Sequence, residues 1–187
     1  MLIINDKRFT KQAEIIREKG TNRSQFFRGD VDKYSWVDLG SSYLPSEIQA
    51  AYLWGQLERL YEITRNRLDS WSRYRQGLSM LEKEGKIELP SSPKECCQNG
   101  HMFYLKVRDL KERSALLEHL KTDGVYAVFH YVPLHSAPAG QRFGRFSGVD
   151  IYTTRESDRL IRLPFWYGLD ENTIAHIIKS IRKFFYS

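Results

Sequence analysis

Two histidines and a tyrosine lie close together in the sequence, where a predicted strand runs into a loop. His130 and Tyr131 end the strand, and His135 follows after Pro133, which restricts the backbone between the rings. Imidazole and phenol groups at this spacing suit acid–base chemistry or hydrogen bonding to a polar ligand. They could also bind a metal ion, but no Cys, Asp or Glu lies nearby at ligand spacing. The alternative is that one of the histidines is only a satisfied core or turn residue.

A second candidate group is a set of serines around the start of a predicted long helix. Ser41, Ser42 and Ser46 stand beside backbone N–H groups at a helix start, where an anion such as phosphate can bind. The simpler interpretation is that these serines only cap the helix.

The loop before those serines holds basic residues that could neutralise a diphosphate, namely Arg23, Arg28 and Lys33. By default, however, Lys33 is a surface lysine, and its neighbours Tyr34 and Trp36 are packing residues. No glycine-rich phosphate loop, dinucleotide-binding glycine motif, HExxH zinc motif or serine nucleophile elbow occurs in the sequence.

Composition narrows the class of protein. The 187 residues carry a net charge of +6, but acidic residues alternate with basic ones throughout, which disfavours nucleic-acid binding. Apolar residues make up 41%, as in a globular chain, and no run is long enough to cross a membrane. Cys96 and Cys97 are adjacent and have no metal-ligand spacing, which favours two free thiols. We therefore predict a cytoplasmic protein that binds neither a metal ion nor a membrane.

The first part of the chain predicts elements that would lead to the serines. The apolar residues 2–4 predict a short strand, and Asp6 can cap a helix that ends at Gly20. The predicted inner face of that helix consists of Phe9, Ala13 and Ile16. A polar loop follows over about residues 21–45, and loops of this length are often functional.

The strongest pattern predicts a long helix from Ser46 to Gly85. Ser46 and Gln49 form a capping box, and apolar residues then recur at steps of three and four. A single helix of about 38 residues would be roughly 57 Å long at 1.5 Å per residue, longer than a globule of this size is wide. It is therefore either broken near Gly77 or runs between two domains, and we favour the second with a bend permitted.

After Gly85 the pattern changes to short alternating elements. Strands are predicted over about 86–89, 102–108, 125–132 and 159–165, and helices over 110–122, from Thr153 and from Asp170. Thr153 and Glu156 offer a second capping box at the start of the helix from Thr153. A loop rich in proline and glycine spans 133–150. This order predicts a small α+β domain with mostly antiparallel strands and helices on one face.

Taken together, several segments resemble the DegT/DnrJ-type sugar aminotransferases, which use pyridoxal phosphate on nucleotide-linked keto-sugars. The resemblance runs over essentially the whole chain, and the combination of segments is specific although no single one would be. The segments that carry it are 15–26, 31–34, 40–44, 49–51 and 130–135.

The resemblance implies an α/β fold, the C-terminal part of a fold-type I aminotransferase in which a long linking helix precedes a small α+β domain. Residues 1–45 would be a remnant of the large cofactor-binding domain, 46–85 the connecting helix, and 86–187 the small domain. The Schiff-base lysine of the family has no counterpart in this sequence, so no catalytic residue is assigned. We therefore expect that this chain alone binds no pyridoxal phosphate and does not transaminate.

The resemblance also implies site residues. Ser42 stands where the family has an asparagine that contacts the cofactor phosphate, and Leu44 stands where it has an arginine. Lys33 and Tyr34 correspond to a segment that lines the sugar-nucleotide pocket. His130 and Tyr131 correspond to a His-Tyr pair near the sugar, and His135 to a supporting position.

Two functions follow as hypotheses. The first is a fragment of an aminotransferase that transfers an amino group from glutamate to a nucleotide-linked keto-sugar and acts as a dimer. The second is a non-catalytic dimerisation or interaction module, or the product of a pseudogene. Nucleic-acid binding would rest on net charge alone.

Overall fold

A computed structural model describes residues 2–187, which form two compact units. The first extends through Glu58 and the second from Arg59 to Ser187. The boundary falls within the segment predicted as a connecting helix.

The first unit contains mainly short helices. They are a 3-10 turn at Lys7–Phe9, α1 at Thr10–Arg17, α2 at Arg23–Arg28 and α3 at Glu47–Glu58. Asp6 caps this first segment as predicted, because its carboxylate accepts a hydrogen bond of 3.0 Å from the backbone N–H of Arg8.

Two predictions for this unit are wrong. Residues 2–4 form no strand and are exposed, because an apolar run becomes a strand only where another strand pairs with it. The buried residue of α1 is Ile15, whereas Phe9 and Ile16 are 60% and 39% exposed. The chain folds back directly after α1, where the N–H of Gly20 donates to the carbonyl of Ile15 at 2.9 Å.

Two helices occupy the segment predicted as one long helix. The chain leaves helical geometry at Arg59 (φ −103°, ψ 14°), and α4 then runs from Leu60 to Lys83. No break occurs at Gly77. A Cβ atom added there would lie 2.4 Å from Cδ1 of Ile178, so the glycine allows another helix to pack closely against α4.

The second unit contains α4 and a three-stranded antiparallel sheet with further helices. Its remaining elements are β1 (Tyr104–Lys106), α5 (Leu110–Thr122), β2 (Val128–Phe129), a 3-10 turn (Leu134–Ser136), α6 (Pro138–Phe143), α7 (Thr153–Arg159), β3 (Leu160–Arg162) and α8 (Glu171–Tyr186). The strand order is β1-β3-β2, with Leu105 opposite Ile161 and Val128 opposite Arg162. The predicted small α+β architecture is thus observed here.

The hydrophobic core of the described residues lies in the second unit, where α4, α5 and α8 pack with the sheet. Asp170 caps α8 as predicted by accepting a 3.0 Å hydrogen bond from the N–H of Thr173. The fully buried side chains are Tyr74, Leu78, Leu81, Phe103, Leu105, Val107, Leu116, Leu120, Ile161, Ile177 and Ile181.

Two further local predictions need correction. Residues 86–89 form only an isolated bridge, in which the N–H of Glu88 donates to the carbonyl of Lys106 at 2.8 Å. The start of α7 has no capping box between Thr153 and Glu156. Instead the carboxylate of Asp150 accepts a 2.9 Å hydrogen bond from the N–H of Thr153. The carboxylate of Glu156 is therefore not used as a cap.

Glu156 belongs to an ionic network that joins α7 to β1. Its carboxylate accepts a 2.8 Å hydrogen bond from Nζ of Lys106, which also contacts Glu88 at 2.6 Å. Arg159 lies between the two carboxylates and pairs with both. The bond from Lys106 is the main reason why the pKa of Glu156 falls from 4.5 to about 2.

This network predicts an acid-dependent contribution to stability. The folded pKa of Glu156 lies below its unfolded value, so its stabilisation is complete above about pH 4.5 and is lost as the pH falls towards 2. We expect Glu156→Gln to lower the free energy of unfolding by about 2 kcal/mol at pH 7 and by much less at pH 2.5. Urea unfolding at both pH values measures this. Glu118→Gln removes an exposed carboxylate from α5 and is the control; an equal loss at both pH values for Glu156→Gln would contradict the expectation.

Candidate functional site

The turn after α1 and the loop before α3 are held together by backbone hydrogen bonds. The N–H of Lys19 donates to the carbonyl of Ser41 at 3.1 Å, and the N–H of Ser41 donates to the carbonyl of Ile16 at 2.9 Å. These bonds pair Glu18 with Ser42 in an isolated antiparallel bridge. Ser42, a predicted site residue, is thereby fixed beside the end of α1.

Two glycines allow this close approach. A Cβ atom at Gly20 would lie 1.7 Å from the carbonyl oxygen of Asp38, and the residue has φ +76°, which favours glycine. A Cβ atom at Gly40 would lie 2.1 Å from the backbone nitrogen of Gly20. Neither position can therefore carry a side chain without moving the loop.

A pocket of about 330 Å³ opens beside this junction. It is lined by Arg17, Glu18, Lys19, Thr21, Arg23, Tyr34, Ser42 and Leu44. Three cationic residues face one carboxylate, so the lining favours an anionic ligand. The ring of Tyr34 packs against Phe26 at a centroid distance of 5.6 Å, which positions its phenol at the pocket. We call this the N-terminal pocket.

The N-terminal pocket brings together only some of the residues that the sequence singles out. Tyr34, Ser42 and Arg23 line it, whereas Lys33 is exposed and is not part of the lining. Arg28 does not line the N-terminal pocket either, because its guanidinium forms ion pairs with Glu14 at 2.9 Å and with Asp30 at 3.2 Å.

Arg17 and Lys19 line the N-terminal pocket although sequence reasoning did not assign them to it. Alternation of Arg17-Glu18-Lys19 is typical of a solvated helix face, so only the fold of the turn reveals their position.

Ser46 has a structural role. Its N–H donates to Oε1 of Gln49 at 2.9 Å, and the N–H of Gln49 donates to Oγ of Ser46 at 3.3 Å. This reciprocal pair is the predicted capping box. Ser46 is therefore a cap, and among the three serines only Ser42 lines the N-terminal pocket.

The second candidate group lies in the other unit and starts after β2. Tyr131 is 76% exposed, and its ring lies 5.3 Å from that of His130. Its carbonyl accepts a 2.9 Å hydrogen bond from the hydroxyl of Ser157 on α7, which fixes the backbone here. Nδ1 of His130 is buried and has no hydrogen-bond partner among residues 2–187. His130 is thus not a fully satisfied core histidine.

His135 is held by a carboxylate that sequence spacing did not reveal. Its Nε2 lies 2.8 Å from Oδ2 of Asp150, fifteen residues later in the chain. The hydroxyl of Thr154 also donates to Asp150 and is the main reason why the pKa of that carboxyl lies below its usual value. An ionised carboxylate accepts, so His135 donates from Nε2, and its ring contacts Phe146 at 4.5 Å.

Two further features, a metal-binding cluster and a membrane-spanning helix, are absent from the residues that the structure describes. Among positions 2–187, no group of three or more His, Cys, Asp or Glu side chains could hold a metal ion. None of the helices over the same positions combines the length and apolar character needed to span a bilayer.

Comparison with known proteins identifies the family. Residues 1–182 match the model of the DegT/DnrJ/EryC1/StrS aminotransferase family, and this chain belongs to that family. It is 24% identical to the uncharacterised protein MJ1066 of Methanocaldococcus jannaschii, over 98% of this chain and 48% of the relative. Pyridoxal phosphate is the cofactor of this aminotransferase family, and the family acts on nucleotide-sugar substrates.

Solved structures share the fold. The aminotransferase TlmJ from Streptoalloteichus hindustanus superposes with a TM-score of 0.80 at 22% identity, over 98% of this chain and 46% of that one. PseC of Helicobacter pylori, an aminotransferase involved in pseudoaminic acid biosynthesis, gives 0.78 at 18% identity, over 97% and 47%. The chain thus spans about half the length of the relatives it matches. The expected fold class, the C-terminal part of an aminotransferase, is confirmed.

The lining of the N-terminal pocket has the chemistry that a phosphate group, such as that of pyridoxal phosphate, would need. Ser42 makes no side-chain hydrogen bond to residues 2–187, so its hydroxyl is available, and Arg17, Lys19 and Arg23 supply positive charge nearby. When bound, the cofactor supplies an electron sink that stabilises negative charge on the carbon next to the reacting amine. The residues of this chain would hold its phosphate.

Proposed function

We propose that this chain supplies the ligand-binding portion of a pyridoxal phosphate-dependent sugar aminotransferase. The transferred amino group would come from glutamate and go to C4 of dTDP-4-keto-6-deoxy-D-glucose, as in the synthesis of enterobacterial common antigen and lipopolysaccharide sugars. The observation that carries the proposal is the family match over residues 1–182. The choice of this sugar rests on the resemblance of the combined segments, since no single one would be specific.

The roles of the residues follow from their surroundings. Ser42 and the cations of the N-terminal pocket would bind the cofactor phosphate, and Lys33 with Tyr34 would line the path of the sugar nucleotide. His130 and Tyr131 would contact the sugar. His135 would support them, since Asp150 fixes the orientation of its ring.

Transamination also needs a lysine that forms a covalent bond with the cofactor. No lysine of this sequence stands in the corresponding family motif. We propose that the chain by itself neither binds pyridoxal phosphate firmly nor transaminates, and that it works in the cytoplasm within a dimer that contains the lysine-bearing portion.

Reconstitution tests the proposal. We expect the purified chain to release no 2-oxoglutarate from glutamate and the keto-sugar, with or without added pyridoxal phosphate. Addition of the lysine-bearing N-terminal half of a full-length family member that uses this sugar should give turnover. The same half with its Schiff-base lysine changed to alanine is the control. Turnover by the chain alone would contradict its proposed dependence on a second portion.

A second candidate function is a non-catalytic dimerisation module. The observation that favours it is the exposed apolar surface of α3, where Ile48, Tyr52 and Trp54 are 83%, 73% and 65% exposed. In the reconstitution experiment, a chain that self-associates but gives no turnover with the added half would favour this module over the aminotransferase.

A further inference from the structure

The side of the small sheet opposite the core carries a cation that the proposed site does not yet use. In β3, Ile161 is fully buried, so its neighbours Leu160 and Arg162 project from the other face. Arg162 lies in the central strand, opposite Tyr104 on β1 and Val128 on β2. Phe129 separates Val128 from His130 and Tyr131, and a contact between the Arg162 guanidinium and the Tyr131 ring places Arg162 near them.

Arg162 differs from the other cations around this sheet. Lys106 and Arg159 are both neutralised by Glu88 and Glu156. The side chain of Arg162 forms no ion pair and no hydrogen bond with any residue from 2 to 187, and its Nε atom is buried. A buried charged donor without a partner is unfavourable unless a ligand or another group satisfies it.

The nearest aromatic group does not satisfy Arg162. The guanidinium carbon lies 5.8 Å from the centre of the Tyr131 ring, a cation–π contact with a ring that is largely exposed. Such a contact at an exposed ring stabilises less than an unsatisfied buried donor costs. Because Tyr131 is 76% exposed, its ring has room to rotate away and to admit a ligand.

A second unsatisfied atom belongs to a residue that contacts the same ring. His130 contacts Tyr131 at 5.3 Å, and its Nδ1 is buried without a partner. Only four side-chain atoms among residues 2–187 are buried and unpartnered, and two of them belong to residues that contact the Tyr131 ring. Two unsatisfied polar atoms on residues that contact one ring favour binding of a polar ligand at this place.

We propose that Arg162 binds an oxyanion of the ligand held by His130 and Tyr131, with the Tyr131 ring as a movable cover. This inference rests on the proposed function and adds a specificity-determining residue to it. A guanidinium binds phosphate or carboxylate through two parallel hydrogen bonds. The oxyanion is therefore either a phosphate of the nucleotide sugar or a carboxylate of the amino donor.

Titration of the full chain with two probes tests the proposal and distinguishes the sources. Nitrogen-15 NMR follows the Nε–H signal of Arg162 while dTDP or glutamate is added separately, and thymidine serves as the probe without phosphate. We expect one of the two anions, but not thymidine, to shift the signals of Arg162 and Tyr131. Arg162→Met should weaken the binding of that anion about tenfold or more.

The control variant is Arg142→Met. Arg142 also stacks on an aromatic ring, at 4.8 Å from Phe143, and its replacement removes the same charge from an exposed position. We expect it to leave anion affinity within about twofold. Arg162→Lys keeps the positive charge but loses the planar guanidinium with its two parallel donors, so this variant should also weaken anion binding. If Arg162→Met does not fold, Arg162→Lys is measured in its place.

Two results would overturn the proposal. One is an equal loss of affinity in Arg162→Met and Arg142→Met, which would mean general charge attraction only. The other is an Arg162 signal in the unmodified chain that neither dTDP nor glutamate moves. Neither result affects the reconstitution experiment, so failure of this inference and failure of the proposed function remain distinguishable.

Discussion

Replacement of Tyr74 by alanine should lower the free energy of unfolding by about 4 kcal/mol. Tyr74 lies on α4, is fully buried, and stacks on Phe103 at a centroid distance of 5.1 Å. Its hydroxyl donates a 3.0 Å hydrogen bond to the carbonyl of Pro164, and burial raises the pKa of this phenol above its usual value. Alanine would remove the ring and leave both a cavity and an unpaired carbonyl. Urea unfolding followed by circular dichroism measures the loss.

Two variants control this expectation. Tyr61→Ala makes the same substitution on the same helix at a side chain that is 90% exposed, and it should change stability by less than about 0.5 kcal/mol. Tyr74→Phe removes only the hydroxyl and should cost about 1 kcal/mol. A Tyr74→Ala protein as stable as Tyr61→Ala would mean that the core of the second unit is not organised around Tyr74.

Replacement of Gly20 by alanine should disrupt the loop that forms the N-terminal pocket. The added Cβ atom would lie 1.7 Å from the backbone oxygen of Asp38, and a backbone atom cannot rotate away as a side chain can. The carbonyl of Gly20 also accepts hydrogen bonds from the N–H groups of Val37 and Asp38, at 2.8 and 3.0 Å. We expect hydrogen exchange at these two amides to accelerate at least about tenfold, which corresponds to a local loss of about 1.4 kcal/mol.

Gly29→Ala is the control that separates the clash of an added Cβ atom from the strain of a positive φ angle. Gly29 has φ +81°, close to that of Gly20, but no atom lies within 4 Å of an added Cβ. Its replacement should therefore cost only the left-handed strain of about 1 kcal/mol, and exchange at Val37 should stay nearly unchanged. If both variants changed exchange at Val37 alike, the close approach of the loop to Gly20 would not be the cause.

The elements that could be predicted from the sequence are those with local signals. The bounds of α5 agree with the predicted 110–122, because Asp109 caps its start and Gly124 follows its end. The start of α8 at Glu171, directly after its cap Asp170, follows from the same kind of signal. Residues 2–4 show the limit of such reasoning, since an apolar run does not reveal whether another strand pairs with it.

Some residues of the candidate site could likewise be predicted from the sequence, and others could not. Ser42, Tyr34, His130, Tyr131 and His135 could be singled out from their types and from the resemblance of their segments to a family, and their roles remain proposals. The contribution of Arg17 to the N-terminal pocket could not, because a charged residue in an alternating segment has the pattern of a solvated face.

By itself, the sequence determined the family and the main helices, since hydrophobic spacing and helix caps depend on residues only a few positions apart. Tertiary structure alone decided that Asp150 would hold His135, that Arg28 would pair with Glu14, and that Arg162 would lie unpaired beside Tyr131. The physical reason is that an ion pair or an unsatisfied donor depends on which distant segments the fold brings together. No local pattern encodes that proximity.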